Sequence, residues 1–465
     1  MPPSSPAPSS HAPPSHDESS HASSPLAAQI IRRLKTHGVK RIFGIPGGGS
    51  SLALIEAAGH AGIDFILTRT ETAAAFMAAV TGESTGTPGV LLTGIGPGAT
   101  SAVNGVAYAY LEKSPVILIT DGPASTPHQA LDQNALYRPI TKFSGRLRPE
   151  EGPSGIEKAI QTALAKPWGP VQLDLTADDA SMSVSGPVSG DGAPSRSPGD
   201  FEPDDIEPDD IDIESARSLI AASRKPVILA GLEARHGGAP AALRQMADAL
   251  SCPVLLSYKA SGVLPASHSS FTGLFTGAIA EADILHAADL IILFGLDGIE
   301  IIPGRWPYES PVLELRPAPA TPLPVEPAAR VTGDLSAIAE MFMPNLKVSG
   351  WSAENIAQAR KDITRTLALH GAGHTAESAM EAAAELAAPG ARLTVDAGAH
   401  MFSALACWPA ETPLAVFKSN GLSSMGYALP AAIALSLENP QTHVLAVTGD
   451  GGMMMCLSEL ATAVE

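Results

Sequence analysis

The chain has little of what marks secreted, membrane or nucleic-acid-binding proteins. Only 3 of its 465 residues are cysteines, Cys252, Cys407 and Cys456, scattered without metal-ligand spacing. That excludes a disulfide framework and fits a reducing cytoplasm. Basic residues are also scarce: 29 Lys and Arg against 48 Asp and Glu leave a net charge of −19. Nucleic-acid binding needs a basic footprint, and this balance excludes one. No run of about eighteen apolar residues is present, so no membrane-spanning helix is expected. Aromatics contribute 5%, so the cores must be built from Ala, Leu, Val and Ile within a hydrophobic content of 45%. The length suggests about three domains.

Residues 1–24 are almost all Ser, Pro, His and Ala, with no Lys or Arg. Such a stretch cannot bury a core and reads as a disordered tail, its His11, His16 and His21 included. It lacks the basic start and apolar centre of a secretory signal, and the arginines of a transit peptide. Three blocks follow, at 25–180, 213–345 and 373–465. A Ser/Gly/Pro/Asp-rich linker at 181–212 separates the first two, its charge run 202–212 read as solvated. A polar helical stretch within 346–372 leads into the third. Each block alternates β-branched runs (41–45, 64–68, 89–93 and 115–120; 226–230, 253–256 and 290–295; 393–396 and 443–448) with longer Ala/Leu-rich helical patterns. Continuous apolar strands between helices mean parallel sheets covered on both faces. The expected architecture is α/β, with three doubly wound parallel-sheet domains.

Several glycine-rich turns follow predicted strands. Gly44-Ile45-Pro46-Gly47-Gly48-Gly49-Ser50 lacks the Lys of a phosphate-binding P-loop, which excludes that ATPase reading. Gly94-Ile95-Gly96-Pro97-Gly98-Ala99 fits the dinucleotide pattern G-x-G-x-x-A, with Asp121 closing a later strand. A dinucleotide oxidoreductase is therefore a competing reading. Near the C-terminus an apolar run closes on Gly449-Asp450-Gly451-Gly452. There a strand would deliver Asp450 to the sheet edge as a magnesium ligand, with glycines allowing a phosphate close approach. Glu71 follows a strand and precedes Ala73-Ala74-Ala75-Phe76; a carboxylate among small apolar residues suits proton transfer, and it equally suits a helix start. Ser424-Met425-Gly426-Tyr427 opens a small-residue helix, and a Met there is ordinarily core.

Taken in order, Phe43 to Gly48, Glu71, Gly96-Pro97-Gly98-Ala99-Thr100, Arg138 to Lys142, Ser424 to Ala432 and Gly449 to Gly451 resemble the motif series of thiamine diphosphate enzymes, in the acetolactate synthase-like branch. The resemblance implies pyrimidine-binding, central and diphosphate-binding domains, the last incomplete. It implies thiamine diphosphate and Mg2+ as cofactors, and cleavage or ligation of the carbon–carbon bond next to the carbonyl of a 2-oxo acid or related acyl donor. Glu71 matches the proton-relay acid at the aminopyrimidine ring. Met425 matches the apolar wedge that keeps the cofactor bent, and Asp450 matches a magnesium ligand. Pro46, Gly47, Gly48, Gly96, Pro97, Gly98, Thr100, Ser424, Gly449, Gly451 and Gly452 fall in the cofactor-binding motifs. The family shares each site between subunits, so a homodimer or homotetramer in the cytoplasm is expected, with no nucleic-acid or membrane partner. FAD is not expected in the central block, because no synthase-type flavin pattern appears between Gly295 and Trp306. A further magnesium ligand of the family would lie past Glu465, which leads to the expectation of a truncated chain or a non-catalytic remnant of the fold.

Overall fold

The computed structural model describes residues 24–122, 128–184, 210–302, 304–317, 321–368 and 371–465. Most of the tail (1–23), most of the first linker (185–209) and Pro127 lie outside the described residues. The ends of two expected irregular segments are structured. Ser24–Pro25, at the junction of the predicted tail and first block, pairs antiparallel with Ser183–Val184 inside the predicted linker, and a helix, Asp210–Ala222, begins within the linker range.

Three parallel sheets carry the molecule. The first contains β1 (Arg41–Ile45), β2 (Asp64–Leu67), β3 (Gly89–Thr93), β4 (Val116–Asp121), β5 (Phe143–Arg146) and β6 (Pro170–Leu175), in the order 2-1-3-4-6-5. The second contains β7 (Pro226–Ala230), β8 (Val254–Leu256), β9 (Phe271–Leu274), β10 (Leu290–Phe294), β11 (Val312–Arg316) and β12 (Ala329–Thr332), in the order 9-8-7-10-11-12. The third contains β13 (Arg392–Val395), β14 (Val416–Lys418) and β15 (Val444–Val447), with β13 in the middle. Strand residues such as Val90 to Leu92 and Leu290 to Phe294 are buried on both faces. Each large apolar side chain so removed from water contributes about 1.5–3 kcal/mol.

Helices on both faces complete the α/β layers. In the first domain α1 (Ser50–Ala61) follows β1, α2 (Glu71–Thr85) follows β2, and α3 (Val103–Leu111) precedes β4. Thr70 caps α2 by accepting from Ala73 N at 3.1 Å, and Gly86 closes it in the left-handed region at φ +72°. The predicted polar stretch forms α4 (Ala353–Leu367). It is not a free connector, because Ile363 packs in the apolar cluster of Val227, Leu229 and Ile291. In the third domain α5 (Ala428–Glu438), α6 (Asp450–Cys456) and α7 (Glu459–Val464) follow. The first and third domains share one core, in which Phe76, Met77 and Val106 meet Phe417, Tyr427 and Ala431.

A buried charge cluster ties all three domains together. Glu83 of α2 accepts from Lys259 at 2.6 Å and from Arg235, both in the central domain. It also accepts from the Tyr108 hydroxyl at 3.0 Å, which lies 2.8 Å from the hydroxyl of Tyr427 in the third domain. Burial alone would raise the Glu83 carboxyl, but Lys259 and Arg235 outweigh it and hold the group down at about 2.

Candidate active site

In the first sheet the order reverses between β1 and β3, where open α/β sheets place ligands. The turns after these strands meet backbone to backbone: a Cβ on Gly47 would lie 2.9 Å from the Cα of Gly94. Asp121, at the end of β4, accepts from the amides of Gly49 and Ser51 at 3.1 and 2.8 Å and from the Ser50 hydroxyl at 2.9 Å. It therefore caps α1 internally. That corrects the dinucleotide reading, in which Asp121 would hold a ribose. Gln133 pins the neighbouring turn, accepting from Gly96 N at 3.0 Å while donating to Asp174 at 2.6 Å.

Glu71 is the first residue of α2 and lies beside the Gly96-Pro97-Gly98 turn, its Oε1 3.3 Å from where a Cβ on Gly98 would stand. The structure thus brings Pro46, Gly47, Gly48, Gly96, Pro97, Gly98 and Glu71 to one edge of the first sheet. Burial, with Asp174 and Glu71 adding, pushes the nearby Tyr137 hydroxyl far above the usual phenol range. Thr100 is exposed, its hydroxyl donating to Pro97 O at 2.9 Å within its own turn.

The third sheet gathers the remaining predicted residues around Asp396, a fully buried side chain just after β13. It accepts from the amides of Gly426, Tyr427 and Ala428 at 3.0, 2.7 and 2.7 Å, and from the Thr448 hydroxyl at 2.7 Å. One side chain thereby holds both the Met425 loop and the Gly-Asp-Gly turn. Gly426 sits at φ +73°, a conformation that favours glycine. A Cβ on Gly452 would come within 2.0 Å of Asp396, so glycine is required there too. Met425 is 40% exposed instead of core, and its Cε lies 3.1 Å from where a Cβ on Gly451 would stand. Ser424 donates to Asn104 of α3 at 2.9 Å.

Asp450 is exposed at the start of α6 and has no polar partner among the described residues. Beside it stands His400, whose ring packs 3.4 Å from where a Cβ on Gly449 would be. Its Nε2 is buried and makes no hydrogen bond among the described residues. Sequence reasoning missed Asp396 and His400. Asp396 carried a faint signal, a carboxylate closing a short β-branched run as Asp450 does; an isolated His at a helix start carried none.

Two glycine-lined edges, one bearing Glu71 and the other bearing Asp450, which has no polar partner among the described residues, point to a class. Residues 25–142 match the thiamine pyrophosphate enzyme N-terminal TPP binding domain, 213–339 the central domain and 396–465 the C-terminal TPP binding domain. The chain belongs to the thiamine pyrophosphate enzyme family. It is 29% identical to the acetolactate synthase isozyme 3 large subunit of Escherichia coli K12, over 94% of this chain and 80% of that one. It is 28% identical to the acetolactate synthase large subunit of Haemophilus influenzae, over 94% and 80%. With the acetolactate synthase of Bacillus subtilis it shares 28% identity, over 94% and 79%.

The residues present fit thiamine diphosphate. A phosphate at the Gly449–Gly452 turn would find glycine backbone and the His400 ring, whose Nδ1 and Cε1 lie 3.4 Å from where a Cβ on Gly449 would stand and whose Nε2 has no partner among the described residues. No group of three or more His, Cys, Asp or Glu able to hold a metal occurs among the described residues. A magnesium ion at Asp450 would therefore take phosphate oxygens and water among its ligands.

Proposed function

We propose that this thiamine diphosphate enzyme, with Mg2+ at Asp450, cleaves the bond next to the carbonyl of a 2-oxo acid and transfers the acyl unit to an acceptor, as the names of its relatives suggest. The observation that carries the reading is Glu71 at the start of α2 beside the Gly96-Pro97-Gly98 turn, a carboxyl that would serve the aminopyrimidine end of the cofactor. Thiamine diphosphate supplies the carbanion-stabilising chemistry. The chain's own residues do the rest. Glu71 would hold and give up a proton at the aminopyrimidine end, Met425 would bound the space available to the rings, and the Gly449–Gly452 turn with His400 would hold the diphosphate. Pro46 to Gly48 and Gly96 to Thr100 shape the pyrimidine edge, and Ser424 holds the Met425 loop to Asn104.

We further propose a homodimer or homotetramer in the cytoplasm. Met454, Met455, Leu457 and Leu460 are exposed around α6 and α7, beside the diphosphate turn, and a second copy would cover them. No helix among the described residues is long and apolar enough to cross a membrane.

The test is Glu71→Gln. It should leave the fold intact and slow exchange of the thiazolium C2 proton by about 10² or more, the range of acid–base groups. Exchange at the native rate would remove Glu71 from that role. Binding of cofactor without release of CO2 from any 2-oxo acid offered would favour a non-catalytic member of the fold.

A further inference from the structure

Helix α7 sends one carboxylate back across the domain boundary. Glu459 is fully buried. Its two oxygens accept from Arg69 N at 3.1 and 3.2 Å; Oε1 also accepts from the Thr70 hydroxyl at 3.3 Å, and Oε2 from the Thr462 hydroxyl at 2.8 Å. Among the described residues no cation pairs with it; the Arg69 guanidinium reaches Glu465 instead. Burying a carboxylate on neutral donors alone is a poor way to stabilise a fold, and a well-packed apolar side chain would serve better. What Glu459 gains is control of a particular turn.

That turn immediately precedes Glu71. Thr70 is the N-cap of α2 and accepts from Ala73 N at 3.1 Å. A hydroxyl has one proton and two lone pairs. With its proton directed at Glu459, Thr70 keeps a lone pair aimed at Ala73 N. Thr68 donates to Thr70 O at 3.0 Å and fixes the same segment from the strand side. Glu71 is thus held by a carboxylate from the helix following the Gly-Asp-Gly turn. We infer that Glu459 is a positioning residue for Glu71, joining the diphosphate-binding turn to the proton-relay acid through α6 and α7. The inference rests on Glu71 being that acid.

Two variants and two readouts test it. Glu459→Leu removes every acceptor, and Glu459→Gln keeps one. In the cofactor-free chain, Glu459→Leu should speed amide hydrogen exchange about tenfold or more in the peptide spanning 66–75, with Glu459→Gln intermediate. With thiamine diphosphate and Mg2+ added, Glu459→Leu should slow C2 proton exchange about tenfold, while the dissociation constant measured calorimetrically changes by less than about threefold. A purely structural role would weaken binding and exchange together. Unchanged amide exchange at 66–75, or C2 exchange within about twofold of native, overturns the inference. Glu71→Gln run in parallel separates the failures: if it too leaves C2 exchange unaltered, the reading of Glu71 is wrong, whereas a slow Glu71→Gln beside a normal Glu459→Leu condemns Glu459 alone. Should Glu459→Leu not fold, Thr70→Val cuts the same link from the other side, with Thr70→Ser as its restoring control.

Discussion

At the scale of residues, two carboxylates do the same work in different sheets. Asp121 ends β4 and holds the start of α1, and Asp396 follows β13 and holds the start of α5. Each satisfies amides that would otherwise be orphaned at a helix start. The glycine turns were legible because glycine clusters after β-branched runs are unusual; Glu71 was singled out only through the family resemblance, since alone it equally suits a helix start. Asp396 and His400 were not, because their meaning comes from partners distant in sequence. His400 yields a sharp expectation. Its Nε2 has no partner among the described residues, so His400→Ala should alter unfolding free energy little beyond the lost packing. A hydrogen bond to a charged group is worth about 1.5–3 kcal/mol, so the variant should weaken thiamine diphosphate binding about ten- to a hundredfold. An unchanged dissociation constant by calorimetry would show that the imidazole does not face the phosphate.

At the scale of elements, the continuous apolar strands were readable and the interrupted ones were not. β6 carries buried Gln172 and Asp174, and β11 carries buried Glu314, so neither fits an apolar template. These groups sit inside sheets because each has partners. Asp174 accepts from Thr120, Gln133 and Asn134, and Glu314 pairs with Arg330 and Arg316. β5, β9, β12 and β14 are edge strands of three or four residues, too short to set up a readable pattern. The central sheet has the strand order of a dinucleotide-binding fold, with its crevice between β7 and β10. Glu300 fills that crevice, accepting from the amides of Leu232 and Asp297 at 2.7 and 3.1 Å and from the Ser257 hydroxyl. A Cβ on Gly231 would lie 2.4 Å from its Oε2. Burial pushes its carboxyl up to about 7. Lys113 of the first domain reaches Glu233 and Asp297 at the same edge. The amides that would cradle a pyrophosphate are therefore engaged from within. The purified protein should carry well under one flavin per chain; visible flavin absorption near one per chain would show that Glu300 yields its place.

At the scale of the whole molecule, the Glu83 cluster makes three sheets one cooperative unit. No sequence pattern announced it, since Glu83, Arg235, Lys259 and Tyr427 are spread along the chain. Glu83→Ala leaves two buried cations without their shared partner and should destabilise the chain by about 3–5 kcal/mol. In calorimetry it should also split one unfolding transition into separate ones; a single transition of native midpoint would refute the coupling. The pH dependence has a fixed sign. Folding depresses the Glu83 carboxyl from its ordinary value of 4.5 to about 2. Its stabilisation is therefore fully present above about 4.5 and lost as pH falls through about 2. Glu83→Ala should flatten that acid limb.

The core shared by α2, α3 and α5 has a consequence for motion. Phe76 meets Tyr108 and Tyr427 edge-on at 5.6 and 5.3 Å between ring centres, and no solvent layer separates the two domains there. Packed aromatic contacts of this kind do not slide continuously. The first and third domains therefore turn as one rigid body, and this interface cannot serve as a hinge. Any opening that admits a cofactor must be found in the exposed turns at the sheet edges, where Met425 and Asp450 already face solvent.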